Sequence, residues 1–403
     1  MPRATTRQPI LPVILAGGMG TRLAPISTPE RPKPFLPLAD GQSLLTRTLA
    51  RVADAGQFAA PILVGHVSHR FALLNHARAA QVMPQAILLE PEAKNTAMAI
   101  ALATAWAMRQ QPDALLAILP ADHYIAPVEA WHSALQQAVT LAVEAQQLCL
   151  LGVMPTRPDS NFGYLQMGEN HRVVRFIEKP ADPAPLLAAG ALWNAGQFIA
   201  PAGVLAALLA QHTPAIWQAA QAAITGARHE WEYTLPDPVS YAGIPALSFD
   251  RNVVEHASAL VVRLEAAWSD LGTLEAWQAH GGDTPEQWQQ RSPRTDRPWG
   301  YYELLAETAD RLEKRLTIFP GCRLSLQRHH HREEEWHILA GAAVIQQGDI
   351  HYRLHEGGIT EILSGEWHRL ENDGQRNLII YEIQSGNPDE ADIERLADDY
   401  GRL

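Results

Sequence analysis

LAGGMGTRLAPISTPERPKPFLPL, residues 15–38, is the stretch on which the reading of the first two-thirds of this chain turns. The apolar run PVILAG (12–17) enters it as a buried strand and breaks on Gly17, Gly18 and Gly20. Glycines at a strand end let backbone N–H groups approach a triphosphate, because no side chain stands in the way. Arg22 and Lys33 follow with positive charge suited to α- and β-phosphates, where charge builds on an attacked phosphorus. A plain strand-to-helix turn would also use the glycines, but Thr21, Arg22 and a Pro-Lys-Pro at this offset favour the phosphate reading. The spacing is neither a Walker loop nor a dinucleotide fingerprint, so ATPase and dehydrogenase readings lose support.

Outward from this stretch, short apolar runs alternate with helical ones. LLTRTLARVAD (44–54) reads as a helix, PILVGH (61–66) as a strand, NTAMAIALATAWAMRQ (95–110) as a helix and ALLAILPADH (114–123) as a strand. A further helix over roughly 127–147 leads into the strand LCLLGV (148–153). That alternation predicts a mostly parallel sheet covered on both faces, with ligands beyond the carboxyl ends of its strands. From Arg297 the pattern changes to short alternating strands broken by FPG (319–321), QQGD (346–349), EGG (356–358) and NDG (372–374), which suits a small barrel or sandwich. The polar, turn-rich stretch 280–296 reads as a linker, and the tail PDEADIERLADDYGRL reads as helical.

The 403 residues suit two or three domains, and 47% hydrophobic with 19% charged residues indicates a packed protein. A formal net charge of -12 argues against a sequence-independent grip on nucleic acid. Two cysteines, Cys149 and Cys322, exclude a disulfide framework and a Cys-rich zinc site. MPRATTRQPI lacks the apolar core of a signal peptide, and no apolar run reaches membrane-spanning length, so a cytoplasmic enzyme without membrane partners is expected.

The 15–38 stretch closely resembles the sugar-1-phosphate nucleotidyltransferases. PEAKNTAMAIALA (91–103), LPADHYI (119–125), FGYLQ (162–166), FIEKP (176–180), WNAGQF (193–198) and AAWSDLGT (266–273) narrow the likeness to mannose-1-phosphate guanylyltransferases, over about 1–275. The resemblance implies a nucleotide site of Ala16, Gly17, Gly18, Gly20, Thr21 and Asn95, and catalytic roles for Arg22, Lys33, Asp122 and Asp270. It implies that Asp122 and Asp270 hold Mg²⁺, a hard cation that suits carboxylate oxygens. Taken alone, Asp122 is as readily a turn cap and Asp270 a partner of Arg263. By the same likeness Gly163, Glu178, Lys179 and Asn194 line a sugar-phosphate pocket. Two positions depart from the family: Ala24 stands where Trp is usual, and VVEHA (253–257) puts His256 where a lysine is expected, on the sugar-phosphate side. The implied reaction is attack of a mannose 1-phosphate oxygen on the α-phosphorus of GTP, giving GDP-mannose and pyrophosphate. Positioning and charge neutralisation suffice for it.

GCRLSLQRHHHREEEWHILAG (321–341) fits the first cupin motif by spacing, with Gln327 in place of the usual first histidine, then His329 and Glu334. The second motif fits with Gly357, Leu363 in place of proline, Gly365, His368 and Asn372. Strand alternation puts Gln327 and His329 on one face, giving a mixed N/O set for a divalent transition metal, Zn²⁺ or similar. His330 and His331 are as readily a solvated edge. RPWGYYE (297–303), EKRLTIFPG (313–321), GEWHRLEN (365–372), EIQSG (382–386) and DYGR (399–402) make 297–403 resemble the type II phosphomannose isomerases. That resemblance implies exchange between mannose 6-phosphate and fructose 6-phosphate through an enediol. Lys314, Arg315, Arg332 and Arg369 are candidates for the phosphate or the enediolate, and spacing assigns no base.

The expected architecture is therefore an α/β nucleotidyltransferase with a Rossmann-like mixed sheet (1–279), a linker (280–296) and an all-β cupin barrel (297–403). The left-handed β-helix that separates the two parts in the fused family has no room here, since 24 residues lie between Gly272 and Arg297. Homo-oligomer contacts made through that segment are accordingly not carried over. The rival readings are a cupin isomerase whose front half has drifted and a non-enzymatic sensor of sugar and nucleotide. Retention of Arg22, Lys33, Asp122 and Asp270 opposes both.

Overall fold

The apolar runs of the front part pair as strands buried on both faces. In the structure, a computed structural model that describes residues 9–18, 23–387, 389 and 391–401, the chain divides into two units between Pro285 and Glu286. The strands of the first unit are β1 (Ile10–Leu15), β2 (Ile62–His66), β3 (Ala86–Glu90), β4 (Leu115–Pro120), β5 (Tyr124–Ala126), β6 (Leu148–Val153), β7 (Tyr164–Met167), β8 (Val173–Ile177), β9 (Leu192–Pro201), β10 (Arg228–Glu230), β11 (Tyr233–Leu235), β12 (Ala259–Leu264) and β13 (Ala267–Ser269). They form a mixed sheet in the order β10-β11-β3-β2-β1-β4-β9-β6-β12, with β7 attached to β9 and β8 to β7, and a small ribbon of β13 with β5.

Successive side chains of β1 serve opposite faces, as strand geometry requires. Leu11 and Val13 join the apolar cluster under the alanine-rich helix Asn95–Gln110, whereas Ile10 and Ile14 join the cluster under helices Leu44–Arg51, Arg70–Ala79 and Val128–Ala145. Burial on both sides explains why these strands read as continuous apolar runs rather than alternating ones. β1, β2, β3 and β4 run parallel, while β9 runs against both β4 and β6. The reversal brings the start of β9 to the rim where its neighbours end. Ala16, Glu90, Asp122 and Asn194 all reach that rim.

The second unit consists of β14 (Arg294–Arg297), β15 (Gly300–Glu307), β16 (Arg311–Ile318), β17 (Leu326–Arg328), β18 (Arg332–Ala340), β19 (Ala342–Gln347), β20 (Ile350–His355), β21 (Ile359–Ile362), β22 (His368–Glu371), β23 (Leu378–Gly386) and β24 (Glu394–Ala397). Two antiparallel sheets, β14-β15-β16-β23-β18-β21 and β20-β19-β22-β17-β24, enclose a core that includes Trp299, Leu316, Ile318, Trp336, Ile345 and Ile380. Gly300 has φ 149°, and a Cβ there would lie 1.9 Å from the Thr317 carbonyl oxygen, so only glycine fits at this crossing.

Between β13 and β14 the described chain forms only the helices Leu274–Ala279 and Pro285–Gln289, and no β-helix. The stretch 280–296 thus holds a short helix and the first residues of β14. The tail expected to be helical instead carries β24, which pairs with β17. Its weak helical propensity yields to completing a sheet edge, reinforced by an Arg328–Glu394 ion pair at 2.8 Å.

Candidate active sites

In the first unit, Lys33 lies in a single 3-10 turn, Lys33–Phe35, entered through Pro32, and is 8% exposed. Its Nζ stands 2.9 Å from Asp122 Oδ2 and also donates to the Asp270 backbone carbonyl. The residues just beyond β4 and β13 thus meet at one ammonium. Arg263 pairs with Glu265 at 2.8 Å, so it is not the partner that sequence alone offered for Asp270. Burial works against the charge on Asp122, but the neighbouring Lys33 and His123 outweigh it and hold the carboxyl below its ordinary range. Burial lowers His123 to about 4, against the pull of Asp122 and Asp270, and its Nδ1 accepts from Trp268 Nε1 at 3.3 Å. Gly20, Thr21 and Arg22 lie outside the described residues.

Ala16, Gly17 and Gly18 follow β1, and Asn95 opens its helix with φ 64°. Sequence reasoning missed Glu90, the buried last residue of β3. A Cβ on Gly17 would come 3.1 Å from Glu90 Oε2, so the glycine turn and this carboxyl share one corner. Glu90 Oε1 accepts from the Tyr241 hydroxyl at 3.0 Å, and burial raises the Glu90 carboxyl to about 7. The available signal was an acidic residue closing an otherwise apolar strand.

Gly163, Glu178, Lys179 and Asn194 come together at the rim. A Cβ on Gly163 would lie 2.6 Å from Glu178 Oε2, so glycine is what admits that carboxylate. Asn194 donates from its backbone to the Gly163 carbonyl at 2.8 Å and from its side chain to Asp250 Oδ1 at 2.6 Å. Lys179, with φ 51°, is 3.7 Å from Glu178 Oε1. Burial, then Asp250, raises the Glu178 carboxyl, and burial likewise raises Asp250. In the Val254–His256 turn it is Glu255 that reaches this wall, accepting from the Glu178 N–H at 3.0 Å. His256 is exposed, with its ring centroid 6.0 Å from that of His212. Asp250 and Glu255 escaped the sequence reading because single acids in a loop carry no pattern. A row of rings, His123, Trp268, Phe162 and Trp193, connects this pocket with the Asp122 site, centroids 4.7–5.5 Å apart along the row. Beside it opens a cavity of about 930 Å³ lined by Phe162, Trp193, Trp268 and Asp270.

In the second unit, ligand-type atoms of His329, Glu334 and His368 lie within 4.8 Å of one another, all buried. His329 Nε2 is 3.1 Å from Glu334 Oε1. His329 donates from Nδ1 to the Asp392 carbonyl at 2.7 Å, and His368 donates from Nδ1 to the Glu366 carbonyl at 2.9 Å. Both rings therefore present Nε2 inward, the orientation that metal-ligating histidines take from such outer contacts. His368 Nε2 and Glu334 Oε2 are buried with no hydrogen-bond partner, as groups awaiting a cation are. Burial lowers His368 and so favours its neutral, ligating form. Burial opposes the charge on Glu334, yet His329, His368 and Arg332 hold its carboxyl well below the ordinary range. These residues fit a divalent metal. Gln327 adjoins them with its amide nitrogen, not its oxygen, 3.3 Å from His329 Nε2, while the oxygen accepts from Ser325 at 2.7 Å.

Of the four cationic candidates, Arg332 lies in the site, 3.2 Å from both Glu334 Oε1 and His329 Nε2, and Lys314 lines the same cavity. Arg315 does not. Next to the inward Lys314 on β16, it faces outward and pairs with Glu303 at 2.7 Å. Arg369 likewise sits on the opposite face of β22 from His368 and donates to the Ala397 carbonyl at 3.1 Å. His330 is at the edge, paired with Glu394 at 3.1 Å.

The two arrangements define the class: an α/β nucleotidyl-transfer fold joined to a cupin whose His329, Glu334 and His368 could hold a metal. The nucleotidyl transferase family model matches residues 11–285, and the mannose-6-phosphate isomerase C-terminal model matches 285–398. The xanthan biosynthesis protein XanB of Xanthomonas campestris pv. campestris (strain B100) is 35% identical over 98% of this chain and 99% of its own. A mannose-1-phosphate guanylyltransferase of Klebsiella pneumoniae is 32% identical over 98% of this chain and 100% of its own. The crystal structure of a mannose-1-phosphate geranyltransferase from Thermus thermophilus superimposes with a TM-score of 0.58 at 32% identity, covering 69% of this chain and 81% of that one. The chain belongs to the family of mannose-1-phosphate guanylyltransferases that carry a mannose-6-phosphate isomerase C-terminal domain. The XanB alignment runs over 466 positions, more than the 403 residues present here, so the relative carries residues that this chain lacks. Among the described residues no helix is long and apolar enough to cross a membrane.

Proposed function

We propose that the chain is a bifunctional cytoplasmic enzyme that makes GDP-mannose and pyrophosphate from GTP and mannose 1-phosphate, and separately interconverts mannose 6-phosphate and fructose 6-phosphate. The observation that carries this reading is that each unit has its own closed constellation, Lys33 with Asp122 and Asp270 in one, His329 with Glu334 and His368 in the other.

In the first unit the oxygen donors of Asp122 and Asp270 suit Mg²⁺, which when bound would neutralise phosphate charge. Lys33, with Arg22, supplies fixed cations for the α- and β-phosphates, and the glycine turn offers backbone N–H donors. Glu90, aimed at that turn, offers an acceptor for the N–H edge of guanine. Asn194, Glu178 and Asp250 bind sugar hydroxyls, and Lys179 serves the sugar phosphate. No protein nucleophile is required, since the sugar phosphate is itself the attacking group.

In the second unit His329, Glu334 and His368 would hold a divalent transition metal such as Zn²⁺, which would polarise the sugar oxygens at C1 and C2. Arg332 and Lys314 add fixed positive charge for the enediolate or the phosphate. Two assays test the reading. GTP and mannose 1-phosphate with Mg²⁺ should release GDP-mannose, and metal-loaded protein should convert mannose 6-phosphate to fructose 6-phosphate. Absence of either product from folded, metal-loaded protein removes that half of the proposal.

A further inference from the structure

Enediol chemistry needs a group that takes a proton from one carbon and returns it to the next, and the residues given a role above serve as metal ligands or as fixed positive charge. Glu334 of the metal set lines a small cavity of about 60 Å³, together with Gln327, Arg332, Lys314, Glu382 and Gln384. Glu334 is committed to the metal set, arginine stays protonated, an amide is no base, and Lys314 and Tyr302, which also line the cavity, are of types that carry their protons at neutral pH. That leaves Glu382 as the one carboxylate outside the metal set in the described lining of this cavity.

Its placement is unusual for a strand of this core. Along β23, Leu378 and Ile380 are buried apolar residues, and the next two inward positions are Glu382 and Gln384. On β16 the residue opposite Glu382 is Lys314, flanked inside the barrel by Leu312 and Leu316. Lys314 and Glu382 are only 5% and 4% exposed. Burying a lysine and a glutamate is costly, and apolar side chains of similar volume would serve the core at least as well.

Glu382 is also held in a fixed orientation. Its Oε2 accepts from Trp336 Nε1 at 3.1 Å, and its Oε1 accepts from Gln384 Nε2 at 2.9 Å. The same Gln384 amide donates to Glu334 Oε1 at 3.1 Å. One amide group therefore spans the distance between Glu382 and the metal set, and Trp336, which orients the other oxygen, packs edge-on against His368 at 5.5 Å.

We propose that Glu382 is the catalytic base of the aldose–ketose exchange, with Lys314 as its charge partner; this rests on the isomerase reading above. The Glu382 carboxylate takes the proton from C2 of open-chain mannose 6-phosphate. The C2–H electron pair becomes the C1–C2 double bond, and the C1 carbonyl pair moves onto O1. The carboxylic acid then returns its proton to C1 as the O2–H bond opens into the C2 carbonyl, its proton passing to O1. The product is fructose 6-phosphate, and Glu382 ends as it began.

The test compares the metal-loaded full-length protein with Glu382→Gln, which keeps the side-chain size and an acceptor for Trp336. Three quantities are read: isomerisation of mannose 6-phosphate, loss of deuterium from C2-deuterated mannose 6-phosphate, and bound metal per chain. The expected result is a fall in kcat of at least ~100-fold with a parallel loss of deuterium exchange, and metal and KM near those of the parent. Isomerisation within a few-fold of the parent overturns the assignment. Loss of metal together with rate also overturns it, since Glu382 would then be a support of the metal set. A parent that isomerises nothing when loaded sinks the underlying reading, and the inference with it.

Discussion

The Nζ of Lys33 sits 2.9 Å from Asp122 Oδ2 and donates to the carbonyl of Asp270, so one buried ammonium joins three segments that are far apart in the chain. Asp122→Asn and Asp270→Asn each keep the side-chain size and remove one charge. Each should lower GDP-mannose synthesis by roughly 100-fold or more while leaving isomerisation at the parent rate. Paired assays on the same preparations check this; loss of both activities in a folded variant would contradict two separate sites.

Glu90 makes stability depend on pH in a definite direction. Its carboxyl titrates near 4.5 when unfolded and at about 7 when folded, because burial disfavours its charge. Between those values the folded protein keeps a proton that the unfolded chain has lost, so stability falls as pH rises, by ~3 kcal/mol across the window. Glu90→Gln can still accept from Tyr241 and does not titrate. Its melting temperature relative to the parent should therefore climb between pH 5 and pH 8, and parallel curves would show that Glu90 is not the group responsible.

Asp392 holds the histidine loop from outside. Its carbonyl receives His329 Nδ1–H at 2.7 Å, while its carboxylate accepts the backbone N–H groups of His330 and His331 at 3.0 and 2.8 Å. Asp392→Ala keeps the carbonyl that receives His329 and removes only the carboxylate's hold on the loop, so it should weaken metal binding by no more than roughly 10-fold, the low end for an outer contact. Competition against a chromogenic chelator measures it. Affinity equal to the parent would mean that the loop holds its shape unaided.

The second unit has a core of its own, from Trp299 to Ile380, and contributes every proposed ligand of its metal. A fragment beginning at Glu286 should melt cooperatively and bind one divalent metal per chain. A fragment that stays unfolded at all metal concentrations would place part of its stability in the first unit.

The parallel strands were legible because burial on both faces turns them into unbroken apolar runs, and the helix Asn95–Gln110 matched its periodic stretch to the residue. The clustering of His329, Glu334 and His368 was legible because two separately spaced cupin motifs singled out these three residues. What escaped were contacts that only the fold creates. Glu90 meets Gly17 across a sheet, Asp250 meets Asn194 from a loop, and Glu382 reaches the metal set through Gln384. Arg315 and Lys314 are adjacent in sequence and equally basic, and only strand alternation sends one to solvent and the other to the cavity. The tail misled because its charges suit a helix and a strand alike until β17 presents an edge.

Val153 at the end of β6 pairs with Trp193 at the start of β9. The intervening 154–191 segment, which includes β7 and β8, therefore departs from the main strand path and rejoins it at neighbouring points on the same rim, and it carries Gly163, Glu178 and Lys179. Such a segment is a cassette. Loop-closure cost grows only slowly with length, so the segment, with β7 and β8 inside it, can be lengthened, trimmed or exchanged without rethreading the main path of the sheet. The corner formed by Ala16 to Gly18 and Glu90, proposed above for the nucleotide, lies outside this segment, as do Asn194 and Asp250. On the proposed assignment, this sheet order lets part of the sugar wall vary while the corner proposed for the nucleotide stays as it is.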